Sequence, residues 1–164
     1  MKPADLLSLL QSFYRDKLAL YRWHEAGALR VSGYEFNNTY QYVLAREQSH
    51  LSWVRSAIEG LGAAPDEAAA VSPAAGVATK GADAVHAIVQ GDARRAAEFL
   101  AAWRPRVAAL SQARHRKMLE LVLGEVAELQ RFFEQAAAGR VDLLGRRPAS
   151  VGTGGGVMAT RWIE

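Results

Sequence analysis

The sequence predicts an all-α protein, an antiparallel four-helix bundle with a long crossover between its second and third helices. Three observations carry that expectation. Apolar residues recur at steps of three and four in four long segments. Glycine and proline, which interrupt helices, gather in a few places between those segments. Alanine, the strongest helix former, is abundant throughout.

The first helix opens at Pro3 and Asp5 and follows Leu7, Leu10, Tyr14, Leu18, Tyr21, Glu25 and Ala28, from about residue 4 to 30. Ser32-Gly33 breaks it. The second follows Phe36, Tyr40, Val43, Glu47, His50 or Leu51, Val54, Ile58 and Leu61, and Gly60 and Gly62 close it. Two helices of similar length joined by a short turn predict an antiparallel hairpin. Residues 62–81 hold Pro65, Ser72-Pro73, Gly76 and Gly81, a connector long enough to travel the length of a bundle.

Val85, Val89, Ala93, Ala96, Leu100 and Trp103 mark the third helix, with a kink or restart expected at Gly91-Asp92. The fourth follows Val107, Leu110, Arg114, Met118, Leu121, Glu125, Glu128 or Leu129, and Phe132, and runs to Gly139. Its start is expected near Pro105, which suits a first turn, with an N-cap at Ser111 as the alternative. Residues 1–140 thus form the bundle. Residues 141–164 form an extended Gly-rich C-terminal tail, with Gly152 to Gly156 in its middle and Trp162-Ile163 as an apolar anchor.

A chain of 164 residues suits one compact domain. No apolar run reaches the roughly 18 residues that span a bilayer. The charged residues Asp5, Arg15, Asp16 and Lys17 come too early for a signal peptide, so a cytoplasmic protein without membrane contact is expected. The absence of cysteine excludes disulfides, thiolate metal sites and thiol catalysis. A formal charge of +3 is near balance and does not imply nucleic acid. The basic stretch Arg104, Arg106, Arg114, Arg116 and Lys117 reads as a solvated face, the alternative being an anionic partner. Gly-x-Ser-x-Gly and His-Glu-x-x-His are both missing, and the glycine run lacks the Lys-Ser/Thr of a phosphate loop.

The chemistry-bearing residues are acids and histidines on helical stripes. Glu47-Gln48-Ser49-His50 is Glu-x-x-His, a spacing that puts carboxylate and imidazole on one helix face. Glu47 shares its stripe with Tyr40, Val43, Val54 and Ile58, and a carboxylate aimed into a core must be paired, protonated or metal-bound. Glu125 and Glu128 sit similarly on the fourth helix. Either these acids bind metal, or they pair with inward arginines such as Arg114 and Arg131, or with tyrosines such as Tyr14 and Tyr21. His24 and His115 are expected at the surface or at helix ends, and Tyr21, Tyr40, Trp53, Phe99 and Trp103 in the core or an interface.

With two helical hairpins, a crossover and Glu47-x-x-His50, the chain resembles the ferritin-like superfamily, the rubrerythrins, bacterioferritins and related di-iron carboxylate bundles. The resemblance implies a Glu from each of the first and third helices and a Glu-x-x-His from each of the second and fourth. Glu47 and His50 match that pattern. Glu125 is followed three residues on by Glu128, and Glu128 by Arg131, so the ligand set is incomplete or altered. On the first helix Glu25 is the only inward acid. On the third, Asp83 or His86 lies level with Glu125 for a turn at Pro105, and Glu98 level with Glu128 for a turn near 113.

The expectation is therefore a metal-binding protein in which Glu47, His50, Glu125 and Glu128 hold iron or manganese, with Glu25 and His86 as additional ligands. As an oxidoreductase it would activate oxygen or peroxide. The alternative is a non-catalytic scaffold or adaptor subunit with a degenerate metal site, acting through its surface and tail. A homo-oligomer is expected in either case, and the tail, through Val157, Met158, Trp162 and Ile163, is expected to pack on its own subunit or on a second copy, the alternative being a protein partner.

Overall fold

A computed structural model describes residues 3–31, 34–67 and 82–140. Four helices account for most of them: α1 (Pro3–Ala28), α2 (Tyr34–Glu59), α3 (Ala82–Ala108) and α4 (Ala113–Ala137). The all-α four-helix bundle is thus as the periodicity predicts. The expected connector reaches residue 67 within the described residues. Its remainder, residues 68–81, and the expected tail, residues 141–164, lie outside them.

α1 packs on α2 and α3, and α4 packs on α3 and α2; across the two diagonals of the square the backbones stay apart and only side chains meet, Tyr40 with Asp92 and His24 with Phe133. Paired residues run in opposite directions along α1 and α2, α1 and α3, and α2 and α4. On α1 and α2, Tyr14 meets Arg55 and Tyr21 meets Gln48. On α1 and α3, Asp16 meets Trp103 and Trp23 meets Arg95, and on α2 and α4, His50 meets Glu125 and Tyr42 meets Phe132. The connector leaves α2 along α1: Gln11 donates to the Ala64 carbonyl at 2.7 Å and accepts from the Asp66 amide at 2.8 Å.

Two helix ends obey the glycine rule. Gly62 and Gly139 follow α2 and α4 with φ of 81° and 88°, the left-handed region. There the chain turns back, so that Arg140 N bonds the Gln135 carbonyl and Ala63 N the Ile58 carbonyl, at 2.9 and 3.4 Å.

Three expectations about the second hairpin are corrected. Pro105 lies inside α3, and the turn occupies residues 109–112. A proline removes one helical donor, here to Ala101, whose exposed position leaves that carbonyl to water. Arg116 then closes the turn, its guanidinium donating to the Leu110 carbonyl at 3.0 Å. Second, α3 passes unbroken through Gly91-Asp92. Third, the buried stripe of α4 is Leu119, Val122, Leu123, Val126, Leu129, Phe133 and Ala136, so Leu121 faces outward, 53% exposed.

The apolar core falls into two clusters. The larger gathers Leu10, Phe13, Val54, Ile58, Leu100 and Trp103, with Phe13 edge-on to Trp103 at 4.8 Å between ring centres. The smaller holds Tyr40, Val43, Val89, Leu129 and Phe133. Between them, at the level of Lys17 to His24 on α1 and Glu47 to His50 on α2, the bundle is polar.

Candidate functional site, a buried polar belt

Lys17, His24, Glu47, His50 and Asp92 are each fully buried. Charges at such depth persist only when paired, because desolvation costs several kcal/mol per ion. Each of these side chains finds a partner on another helix.

Glu47, in the middle of α2, receives two groups from α1. Lys17 Nζ donates to Oε1. His24 Nδ1 donates to Oε2 at 2.8 Å. Burial pushes the Glu47 carboxyl up, but His24 and Lys17 outweigh it and hold it down at about 2. Lys17 is pulled below the ordinary lysine range by burial, against the opposing pull of Glu47. The outcome is an ion pair closed inside the protein, its anion shared by an ammonium and an imidazole.

A second pair links α2 to α4. His50 Nε2 donates to Glu125 Oε2 at 2.6 Å, and Arg46 pairs with Glu125 Oε1. Burial and the nearby Lys17 lower the His50 pKa more than Glu125 raises it, so the imidazole is neutral with its proton on Nε2. Glu125 is held below the usual carboxylate range: burial acts upward, and His50 and Arg46 overcome it.

A third pair ties α2 to α3, where the Tyr40 hydroxyl donates to Asp92 Oδ2. Burial pushes both groups up, keeping the phenol protonated as the donor. Gly27 of α1 makes room for this pair. A Cβ there would stand 3.0 Å from Asp92 Oδ2, 3.2 Å from Ile88 Cγ2 and 3.3 Å from the Tyr40 oxygen. Because the hydrogen bond fixes the two polar atoms, they cannot step aside. Gly27→Ala is therefore expected to cost about 1–2 kcal/mol despite alanine's higher helix propensity. Urea unfolding measures it, with Gly124→Ala on α4, where a Cβ meets nothing within 4 Å, as the control expected to be neutral or stabilising.

The residues expected as metal ligands are dispersed by this arrangement. His50 and Glu125 meet, while Glu47 turns to Lys17 and His24. Glu128, Glu25 and His86 are exposed, and Glu25 accepts from Tyr21 at 3.2 Å. Tyr14 and Tyr21 bond Arg55 and Gln48 outside the belt, and Arg114 and Arg131 are exposed. His24, expected at the surface, is a core residue.

The donor set does not fit a di-metal centre. Both oxygens of Glu47 are taken, by Lys17 and His24, and both of Glu125, by Arg46 and His50. An ammonium sits on the carboxylate a metal would need first, and a guanidinium sits on the second. Among the described residues no group of three or more His, Asp or Glu side chains gathers as a metal site.

Lys17, His24, Arg46 and Asp92 are the site residues that the apolar stripes of the sequence passed over. The signal for two of them is a sharper repeat on α1: Leu6, Leu10, Phe13, Lys17, Leu20, His24 and Gly27 alternate steps of four and three without a break. All seven are buried, so a lysine and a histidine occupy core positions of a seam.

Among the described residues no helix is long and apolar enough to cross a membrane. Comparison with known proteins returned no match to any protein family, to any curated protein or to any solved structure.

Proposed function

We propose that this chain is a non-catalytic, ferritin-like scaffold or adaptor, in which an internal cation has taken the place of a metal and which works through its surface and its C-terminal segment. One observation carries the reading: all four oxygens of the two inward carboxylates, Glu47 and Glu125, are bound by side chains of the protein itself. Lys17 supplies the positive charge a metal would bring, at the level of α1 where a ligand would stand. A lysine ammonium has no lone pair and no open coordination position, so it balances charge without activating oxygen or peroxide. The reading carries with it a cytoplasmic, homo-oligomeric protein with a protein partner reached through residues 141–164.

A second reading, an iron- or manganese-binding oxidoreductase, draws support from three buried atoms with no hydrogen-bond partner among the described residues, His24 Nε2, His50 Nδ1 and Asp92 Oδ1. A histidine with one nitrogen on a carboxylate and the other nitrogen open is a common metal-ligand posture.

Elemental analysis separates the two. Protein expressed in medium supplemented with iron and manganese, and purified without chelator or His-tag, is expected to fold and to carry no stoichiometric metal. Close to two metal ions per chain, lost in Glu47→Ala, would overturn the scaffold reading.

A further inference from the structure

Between α1 and α3, on the outer side of the bundle, runs a cleft of about 510 Å³. Leu20, Phe99 and Trp103 form its buried floor, and Trp23 and Arg95 form one wall. Its volume falls in the range of ligand pockets, about 300–1,000 Å³. Small side chains at Ala19 and Ala102 open it to solvent.

The polar groups of the cleft are not equivalent. Asp16 accepts from the Trp103 indole at 3.0 Å, and Glu98 lies 3.9 Å from Arg94. Both acids are engaged. Arg95 stacks its guanidinium on the Trp23 ring at 3.3 Å, and its buried Nε has no hydrogen-bond partner among the described residues. A guanidinium held by stacking, with its Nε buried, turns its terminal amino groups into a fixed receptor for a carboxylate. The aromatic floor beside it suits an indole or a branched aliphatic side chain. The cleft thus asks for an aromatic or aliphatic side chain followed closely by an acid.

The chain carries such a segment. Trp162-Ile163-Glu164 presents an indole, a branched aliphatic and a carboxylate in succession, 22 to 24 residues beyond Arg140. The end of α4 lies level with the end of α1, about ten residues from the middle of the cleft, or about 15 Å along the axis at 1.5 Å per residue. One or two interhelical spacings of about 8–10 Å complete the path. Twenty-two residues span up to about 70 Å when extended, so the length of chain suffices for the path.

We propose that Trp162, Ile163 and Glu164 dock in the α1–α3 cleft of their own chain, the two apolar side chains on Phe99 and Trp103 and the Glu164 carboxylate on Arg95. Docking rests on the reading that residues 141–164 are a working part of the protein. Its test is independent of metal content, so either can fail while the other stands.

Because the sequence has no cysteine, one engineered pair reports the contact. Ala102→Cys lines the cleft and Ile163→Cys marks the segment. Under mild oxidation this pair is expected to form a disulfide within one chain at least about tenfold faster than Leu121→Cys with Ile163→Cys, whose partner is exposed on α4 away from the cleft. Adding Trp162→Ala or Arg95→Ala is expected to remove most of that advantage while the melting transition of the bundle persists. Equal rates at positions 102 and 121, or no effect of Trp162→Ala, would overturn the proposal. So would a disulfide formed only between chains, which would assign the cleft to a second copy.

Discussion

Glu47→Ala is expected to lower stability by about 3–5 kcal/mol, because it strands the Lys17 ammonium in the core and deprives His24 Nδ1 of its acceptor. For a chain of this size, that shifts the melting temperature by roughly 2–4 °C per kcal/mol. The substitution alone does not distinguish loss of the ion pair from loss of packing, so the cycle with Lys17→Met decides. Lys17→Met removes the buried charge together with its need for a partner. The double variant Lys17→Met/Glu47→Ala is expected to recover a large part of what Glu47→Ala loses. Additive losses in the double variant would mean that Lys17 and Glu47 are not coupled. Added iron or manganese is expected to leave all four melting temperatures unchanged.

Acidification should lower the protein's stability in two stages. The first is set by His50, whose folded pKa lies below its ordinary value, so the unfolded chain binds a proton that the native state refuses. Stability from this source is present above about pH 6.5 and is lost as pH falls below it. The second belongs to Glu47. Its carboxyl is ionised in the native state down to about 2, against 4.5 unperturbed. Depressed acids stabilise above their unfolded pKa, so this contribution is complete above about pH 5 and disappears between there and pH 2. The difference corresponds to the order of 3 kcal/mol. Glu125 acts in the same direction. Asp92 opposes it, because its raised pKa lets the native state take up a proton early. Urea midpoints measured from pH 8 to pH 3 should fall throughout, and Lys17→Met/Glu47→Ala should flatten the lower limb. A lower limb of unchanged slope in that variant would exclude Glu47 as its source.

The helices were legible because each buries a face several turns long, and a period of three and four over some 26 residues is difficult to mistake. Gly62 and Gly139 gave true ends for the same physical reason, since only a left-handed turn lets the last carbonyls find donors there. Pro105 misled because its cost is local: one lost donor near the end of α3 is small beside the burial of Trp103 and Val107 on either side of it. Taking Pro105 as the start displaced the stripe of α4 by one position, which turned Glu128 inward on paper and outward in the fold.

The candidate site was half legible. Glu47 and His50 stood out as polar residues on an apolar stripe, and both are fully buried. Their partners did not stand out, since Lys17 and Arg46 are residues that normally face water and His24 lies close to a helix end. A buried anion states that a cation exists somewhere across the interface. Which helix provides it depends on the register between helices, and register is a property of the packed pair that neither stripe contains alone.

That dependence on register also runs the other way. An apolar seam of leucine, valine and phenylalanine tolerates sliding, because one hydrocarbon side chain serves nearly as well as another against its neighbour. Here the two apolar clusters are separated by the belt, and the belt has a single alignment. If α1 slid one turn along α2, about 5.4 Å, Lys17 would face Val43 or Leu51 in place of Glu47, an ammonium against hydrocarbon. The same slip would part the Asp92 carboxylate of α3 from the α1 glycine that admits it. The Lys17–Glu47 pair therefore works as a locating pin: its contribution is less to the depth of the correct fold than to the height at which every shifted one begins.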